Sequence, residues 1–438
     1  MKRLFAAAIM LVLLPVLVFA EGEYDLELKD LEKQIEKKPY TFAGYLEYRP
    51  ILFGLDKSAS LYKLRYFDHS LGDTLFQNNG AVWLEGSYTK GIATLFAATK
   101  STYTDSSIGS TGQTILYTGY LSLKPSPSLT LDFGKKTMKW GKGYAWNPAA
   151  FIDRPKDPDD PELALEGYVV AVADYIKSFP GNLKTFSFTP VILPQYISSN
   201  INDDFGQTDA LNVAAKAYFL FHDTDIDFTA LAGGSKTPRY GFDFSRNIGT
   251  NLEVHGEFAY ITHVKRTVVE DNGATRQKTS DGINYLAGFR YLSARDTTYI
   301  FEYYHQGTGF TSQELSNYFT SIDKGYEAYV ARHDIRLLSR AIALQKSGYT
   351  VFTPGTDYLY LRISQKEPFD ILYFTPAVTS IYNIHDRSFQ VTPELLYAPI
   401  TNLEFRLRTA LLVAGSKNSE FGEKPNDYRI ELRMRYYF

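Results

Sequence analysis

From Thr41 onward the chain repeats one unit. A run of about 10–13 residues alternates apolar and polar side chains and then breaks. The last run, from Asn426 to Phe438, is the clearest. One face carries Tyr428, Ile430, Leu432, Met434, Tyr436 and Phe438; the other carries Arg429, Glu431, Arg433, Arg435 and Tyr437. A half-buried strand of a soluble sheet has no need of so complete a split. A strand with lipid on one side and water on the other does, with aromatic residues at its ends. The same division sets Leu252, Val254, Phe258 and Tyr260 against Glu253, His255 and Glu257, and Leu403, Phe405 and Leu407 against Glu404, Arg406 and Arg408. A large soluble sandwich or propeller is the competing architecture, but no blade-length repeat is present.

The breaks set the topology. Eight are short and rich in Asp, Asn, Gly and Pro: Thr89 to Gly91, Lys124 to Pro127, Phe179 to Asn182, His222 to Asp225, Arg246 to Thr250, Ala294 to Asp296, Lys366 to Pro368, and Ala398 to Asn402. Such residues suit tight hairpins. Most of the breaks between them are longer and polar. Short periplasmic turns and long outer loops define the bacterial transmembrane β-barrel. The predicted fold is therefore an all-β, antiparallel up-and-down barrel over residues 40–438, with about eighteen strands, sixteen being the alternative. The first span is 41–53 and the last 427–438; the fifth is placed at 128–140, the ninth at 225–235 and the fifteenth at 369–382. An even count puts both termini in the periplasm. Ala59 to His69 also alternates, but as a strand it makes the count odd, so it is assigned to the first outer loop as a hairpin extension.

The first residues are different in kind. Met1-Lys2-Arg3 is basic, Leu4 to Phe19 is apolar, and Val18 and Ala20 suit signal-peptide cleavage, which predicts residues 1–20 to be a Sec export signal. Residues 21–39 form a charged leader in which Leu28, Leu31 and Ile35 recur at helical spacing.

Composition narrows the field. The chain has 438 residues, with 46 Lys+Arg against 49 Asp+Glu, a near balance that disfavours nucleic acid as a partner. It has no cysteine, which excludes disulfides, Cys-ligated metals, a catalytic thiol and covalent haem attachment. Past residue 20 no apolar run approaches the ~20 residues of a membrane helix. Aromatic residues make up 15%, as an exported barrel with aromatic girdles requires.

The terminal Tyr437-Phe438 resembles the C-terminal signature of bacterial outer-membrane barrels, and the mature chain as a whole looks porin-like. The resemblance implies an outer-membrane location, contact with outer-membrane lipid, and recognition of the Phe438 strand by the barrel assembly machinery. Trp140-Gly141-Lys142-Gly143, followed by Asn147-Pro148, resembles a segment of alginate-export-type and related uncharacterised outer-membrane barrels. In general porins the loop after the fifth strand folds into the bore, which implies a constriction formed here by Gly141 to Leu165.

Two sets of side chains are candidates for acting on a solute. The polar faces of the last two strands carry Arg406, Arg408, Arg429, Arg433 and Arg435, and closure adds Arg49 and Glu47 from the first strand. Guanidinium groups stay charged at any working pH. Lining water, they attract anions, and Glu85, Glu253, Glu257 and Glu394 on other strands oppose them, predicting a transverse field across the bore. The second set is the loop after the fifth strand: Trp140, Lys142, Tyr144, Trp146, Asp153, Arg154 and Lys156. Its acidic residues lack the spacing of a calcium loop. The histidines form none of the metalloprotease motifs, and no nucleophile elbow or phosphate loop is present. No metal, cofactor or catalysis is expected.

The leading functional expectation is passive diffusion of small hydrophilic solutes or ions. An export barrel for an acidic polysaccharide and a scaffold barrel for a multi-protein envelope conduit are the alternatives. Whether the barrel is a monomer or a trimer is left open.

Overall fold

The computed structural model describes residues 38–438. The expected signal peptide, and the leader up to residue 37, lie outside the described residues.

Eighteen strands form one antiparallel sheet. They are β1 (Tyr40–Leu55), β2 (Thr74–Lys90), β3 (Ala93–Ser106), β4 (Gly109–Ser126), β5 (Leu129–Lys136) and β6 (Tyr168–Ser178). Next come β7 (Leu183–Gln195), β8 (Ala210–Phe221), β9 (Thr224–Leu231), β10 (Arg239–Ile248), β11 (Leu252–Val269) and β12 (Thr275–Leu292). The last are β13 (Thr297–Gln306), β14 (Asp357–Gln365), β15 (Phe374–Asn383), β16 (Phe389–Ile400), β17 (Leu403–Val413) and β18 (Asn426–Tyr437). Each strand pairs with its sequence neighbours, and β1 pairs with β18, so the sheet closes on itself and leaves no free edge.

Exposure along the wall is inverted relative to a soluble protein. On β18 the apolar Ile430 and Leu432 are 38% and 37% exposed, whereas Glu431 and Arg433 are each 2% exposed. Alternation thus turns the oily face outward and the charged face into the bore.

The seam depends on a missing side chain. Phe438 exchanges two 3.0 Å backbone hydrogen bonds with Gly44. A Cβ on Gly44 would lie 2.5 Å from the Trp83 carbonyl oxygen and 2.8 Å from the Phe438 ring. Gly44→Val is expected to wedge β1 away from β18 and to lower, by roughly 1–4 °C, the temperature at which the folded band is lost in semi-native electrophoresis, consistent with a 1–3 kcal/mol overpacking cost. An unchanged transition would show that the seam yields.

Tight turns lie at the end of the barrel where β1 begins and β18 finishes. His222 and Asp223 both have positive φ (48° and 56°), the backbone of a type I′ hairpin turn, whose twist matches that of the strands. Most connections at the other end are longer, and they carry the helices. α1 (Ser60–Tyr66) occupies the segment expected to extend a hairpin. It is a helix because it is buried on two sides: Leu61 and Leu64 enter one apolar cluster, Tyr62 and Tyr66 another with Leu55 and Leu75. The β13–β14 connection contains α2 (Ser312–Arg332) and α3 (Arg336–Leu344). α2 starts on a capping box in which Thr311 Oγ1 accepts from the Glu314 amide and the Glu314 carboxylate accepts from the Thr311 amide. Tyr318, Phe319 and Ile322 from α2 pack with Leu338 and Leu344 from α3, with α1, and with Val268 and Val269 at the tip of β11. Leu337 and Ile342 are exposed, because α3 buries only one stripe.

Three expected spans shorten. The fifth strand stops at Lys136, because Thr137 to Trp140 leave the wall and the Met138, Lys139 and Trp140 amides bond to the Asp153 carboxylate instead of a neighbouring strand. The ninth stops at Leu231 and the fifteenth starts at Phe374, after a long turn.

Candidate functional site: a bore crossed by the β5–β6 loop

Residues 137–167 join β5 to β6 and fold into the bore. Inward-facing carboxylates hold them there, each gathering several backbone amides. On β11, Glu257 accepts from the Lys142 and Gly143 amides (both 2.6 Å), the Ala149 amide (3.0 Å) and the Asn147 side-chain amide (2.8 Å). On β13, Glu302 accepts from the Tyr144 and Ala145 amides and contacts His255 Nε2 at 2.9 Å. A buried carboxylate is tolerable only with donors of this number. The Trp-Gly-Lys-Gly segment with Asn147 is the piece that wraps Glu257. Gly141 has φ 86°, and a Cβ there would lie 2.6 Å from the Asn147 side-chain nitrogen; a Cβ on Gly143 would lie 2.0 Å from the Trp146 carbonyl oxygen. Both glycines are required by close approach.

Aromatic packing fixes the same segment. Trp146 stacks on Tyr304 at 5.1 Å, and its Nε1 donates to Thr353 Oγ1 at 3.2 Å. Trp140, Phe151 and Ile152 pack on Val170, Val172, Val191, Leu193, Ala214, Leu231 and Ala259, a patch where the inner wall is apolar.

Farther along, the loop reaches the opposite wall. Asp160 pairs with Arg406 at 3.3 Å and Arg433 at 2.9 Å; Asp159 pairs with Arg408 at 3.2 Å and with Arg429. Glu394 pairs with Arg406 (2.7 Å), Arg408 (3.1 Å) and Arg362 (3.1 Å). Glu431 pairs with Arg433 at 3.1 Å, and Glu47 with Arg435 at 2.6 Å. Arg49 lies 3.9 Å from both Glu47 and Glu431. Burial pushes the Asp160 carboxyl up, but the Arg406, Arg408 and Arg433 guanidiniums overcome it and hold it down at about 2. Asp159 is likewise held below the usual range, against burial, by Arg429 and Arg408.

The expected open wall of arginines facing a separate acidic wall is therefore not what the chain builds. Arg406, Arg408 and Arg433 are buried, Arg429 and Arg435 largely so, and carboxylates of the loop and the wall neutralise them where they stand. Glu253 takes the Tyr144 hydroxyl at 2.8 Å and Glu257 serves the loop, so neither faces the arginines across open water.

Beside the loop lies a cavity of about 1,460 Å³. Its lining begins near the termini, with Thr41, Ser87 and Phe96, and extends to Lys236, Asn284 and Thr308 toward the long loops. Of the first candidate set, Glu85 lines it; of the second, Trp140, Lys142, Tyr144, Asp153, Arg154 and Lys156 do, while Trp146 is packed behind. Cations outnumber anions on the lining. Lys142 is matched by Asp227 at 3.0 Å, and Arg154 by Asp204 at 2.9 Å. Lys156 donates to the Gly143 and Tyr144 carbonyl oxygens. Burial lowers its ammonium, opposed by Glu257 and Glu302. Lys139, Lys236 and Arg239, which also line the cavity, were not marked by the sequence. The signal available was the clustering of cations in sequence, Lys135, Lys136 and Lys139 in one stretch and Lys236 and Arg239 in another. Burial and the adjacent Arg239 push the Lys236 ammonium down to about 7, and it lies 3.8 Å over the Phe205 ring.

No family model and no curated protein matches this chain. Among solved structures, Pseudomonas aeruginosa OccK5 (OpdH) superposes with a TM-score of 0.50 at 13% identity, covering 91% of this chain and 98% of that one. Pseudomonas aeruginosa OccK3 (OpdO) superposes with a TM-score of 0.50 at 12% identity, covering 95% and 99%. At that identity the likeness shows the fold, a closed barrel of eighteen antiparallel strands.

Proposed function

We propose that the chain is an outer-membrane, porin-like channel for passive diffusion of small hydrophilic solutes or ions. One observation carries the reading: an apolar outer wall encloses a cavity whose lining carries charged side chains and runs from the terminal end of the strands toward the loop end. That arrangement suits a wall in lipid and a bore in water. The β5–β6 loop sets the width, and Lys139, Lys236 and Arg239, in no ion pair among the described residues, give the path a preference for anions. A cavity of about 1,460 Å³ suits small solutes. The covered arginines remove the main ground for a polysaccharide exporter.

Planar-bilayer recording tests this directly. The purified protein should give ohmic steps with anion selectivity, and a persistently silent barrel would refute the reading. Replacing Lys139 and Lys236 together by Glu should move the reversal potential in a salt gradient toward cation selectivity. The wild-type preference should also weaken as pH rises through about 7, because the Lys236 ammonium is charged below that value and neutral above it. A reversal potential indifferent to both changes would show that these cations do not select.

A further inference from the structure

Seven of the eight turns at the terminal end are two to four residues long. The turn between β14 and β15, residues 366–373, is not. It holds Phe369 at 91%, Leu372 at 66% and Tyr373 at 63% exposure, with Ile371 also exposed. Nor is it loose. Glu367, Phe369, Asp370 and Tyr373 all have positive φ (49°, 60°, 58° and 59°), a conformation that large L-residues avoid. The Glu367 amide donates to the Phe374 carbonyl at 2.8 Å, the Glu367 carboxylate accepts from the Tyr373 amide at 2.9 Å, and the Ala398 amide donates to the Tyr373 carbonyl at 3.1 Å. A backbone held in this way keeps large apolar groups displayed rather than letting them collapse.

Its direction is also set. Ile371 closes the end of a groove of about 320 Å³ with Phe374, Leu395, Phe405, Leu407 and Leu432. Leu407 and Leu432 sit on the exposed side of their strands, opposite the buried Arg406, Arg408 and Arg433. The turn therefore folds back over the outside of the barrel and continues its apolar belt, away from the bore. An apolar patch continuous with a lipid-facing wall, with Tyr373 and Tyr397 beside it, has the chemistry of an interfacial anchor.

We propose that this turn is a membrane hook: Phe369, Ile371 and Leu372 insert among the phospholipid acyl chains of the leaflet at the terminal end of the barrel. The proposal rests on the membrane-channel reading above. The absence of cysteine allows single spin labels to be placed without background. Leu372→Cys, Leu407→Cys on the wall and Ser126→Cys at a polar turn of the same end are labelled in phosphatidylcholine vesicles, and their collision rates with oxygen and with a water-soluble nickel complex are compared. Leu372 should match Leu407, with an oxygen-to-nickel ratio severalfold above that of Ser126. If Leu372 behaves like Ser126 while Leu407 is in lipid, the hook is overturned and the channel reading stands. A Leu372 label that is immobile and reached by neither reagent means that protein, such as a second copy, covers the turn, which also overturns it. A Leu407 label in water overturns the membrane reading itself.

Discussion

Replacing Asp159 and Asp160 together by Asn should convert a narrow bore into a wider and more strongly anion-selective one. The two carboxylates are the loop's contribution to a cluster that includes Arg406, Arg408, Arg429 and Arg433. Removing one side of a buried ion pair costs about 3–5 kcal/mol, because the other charge is left without compensation. Hydration is the available remedy: the loop lifts from that wall, water enters, and Arg429 loses its carboxylate partner, while Glu394 still pairs with Arg406 and Arg408 and Glu431 with Arg433, so the wall gains net positive charge toward the lumen. Single-channel conductance is expected to rise about twofold or more, with permeability shifted toward anions. The folded band in semi-native electrophoresis should persist, since strand pairing is untouched. Charge-preserving Glu at both positions should restore part of the wild-type behaviour. Conductance and selectivity both unchanged would mean that this contact does not hold the loop.

Acid should do the same without mutation. The Asp160 carboxyl titrates at about 2, below its ordinary value of 3.8. A depressed folded value stabilises the closed loop above the ordinary value, and that contribution is lost as pH falls from about 4 through about 2. The acid-induced opening should be absent in the double Asn variant, which has no carboxyl to protonate there.

The second large effect is expected at Glu257. Glu257→Ala leaves the Lys142, Gly143 and Ala149 amides without their acceptor and the Asn147 side chain with only the Gly143 carbonyl oxygen. At about 1–3 kcal/mol for each buried donor left unmade, the loop loses on the order of 3 kcal/mol or more against its open state. Hydrogen exchange at those amides should accelerate by roughly a hundredfold or more, because each 1.4 kcal/mol is a factor of ten. Exchange in the strands β1 and β18, on the far seam, should stay as it is. Glu257→Gln keeps one acceptor oxygen and should fall between. Protection in the alanine variant equal to wild type would show that the Trp146 stack alone holds the segment.

Much of this architecture could be read from residue order. Period-two alternation is local: a residue's face follows from its parity along the strand, and Ile430 and Arg433 are assigned without knowledge of any neighbour. The eighteen strands and their closure follow from that rhythm and from turn chemistry, whereas the entry of the loop after β5 was implied by the resemblance to general porins. Most of the loop residues beside the cavity were also legible, because Trp140 to Lys156 crowd charge and aromatics between prolines. The Ala59 to His69 segment was harder, since a helix buried on two sides and a short alternating strand share much the same apolar pattern.

What alternation leaves open is the partner. Arg406 meets Asp160 across 246 positions and Arg433 meets it across 273, contacts with no local trace. Whether an inward arginine is a free cation or half of a neutral pair depends on which loop crosses the bore and how far it reaches. Face, span and closure were written in the order of residues; the sign and shape of the path were decided only when the β5–β6 loop folded back into the lumen, because charge compensation is a property of distance in space.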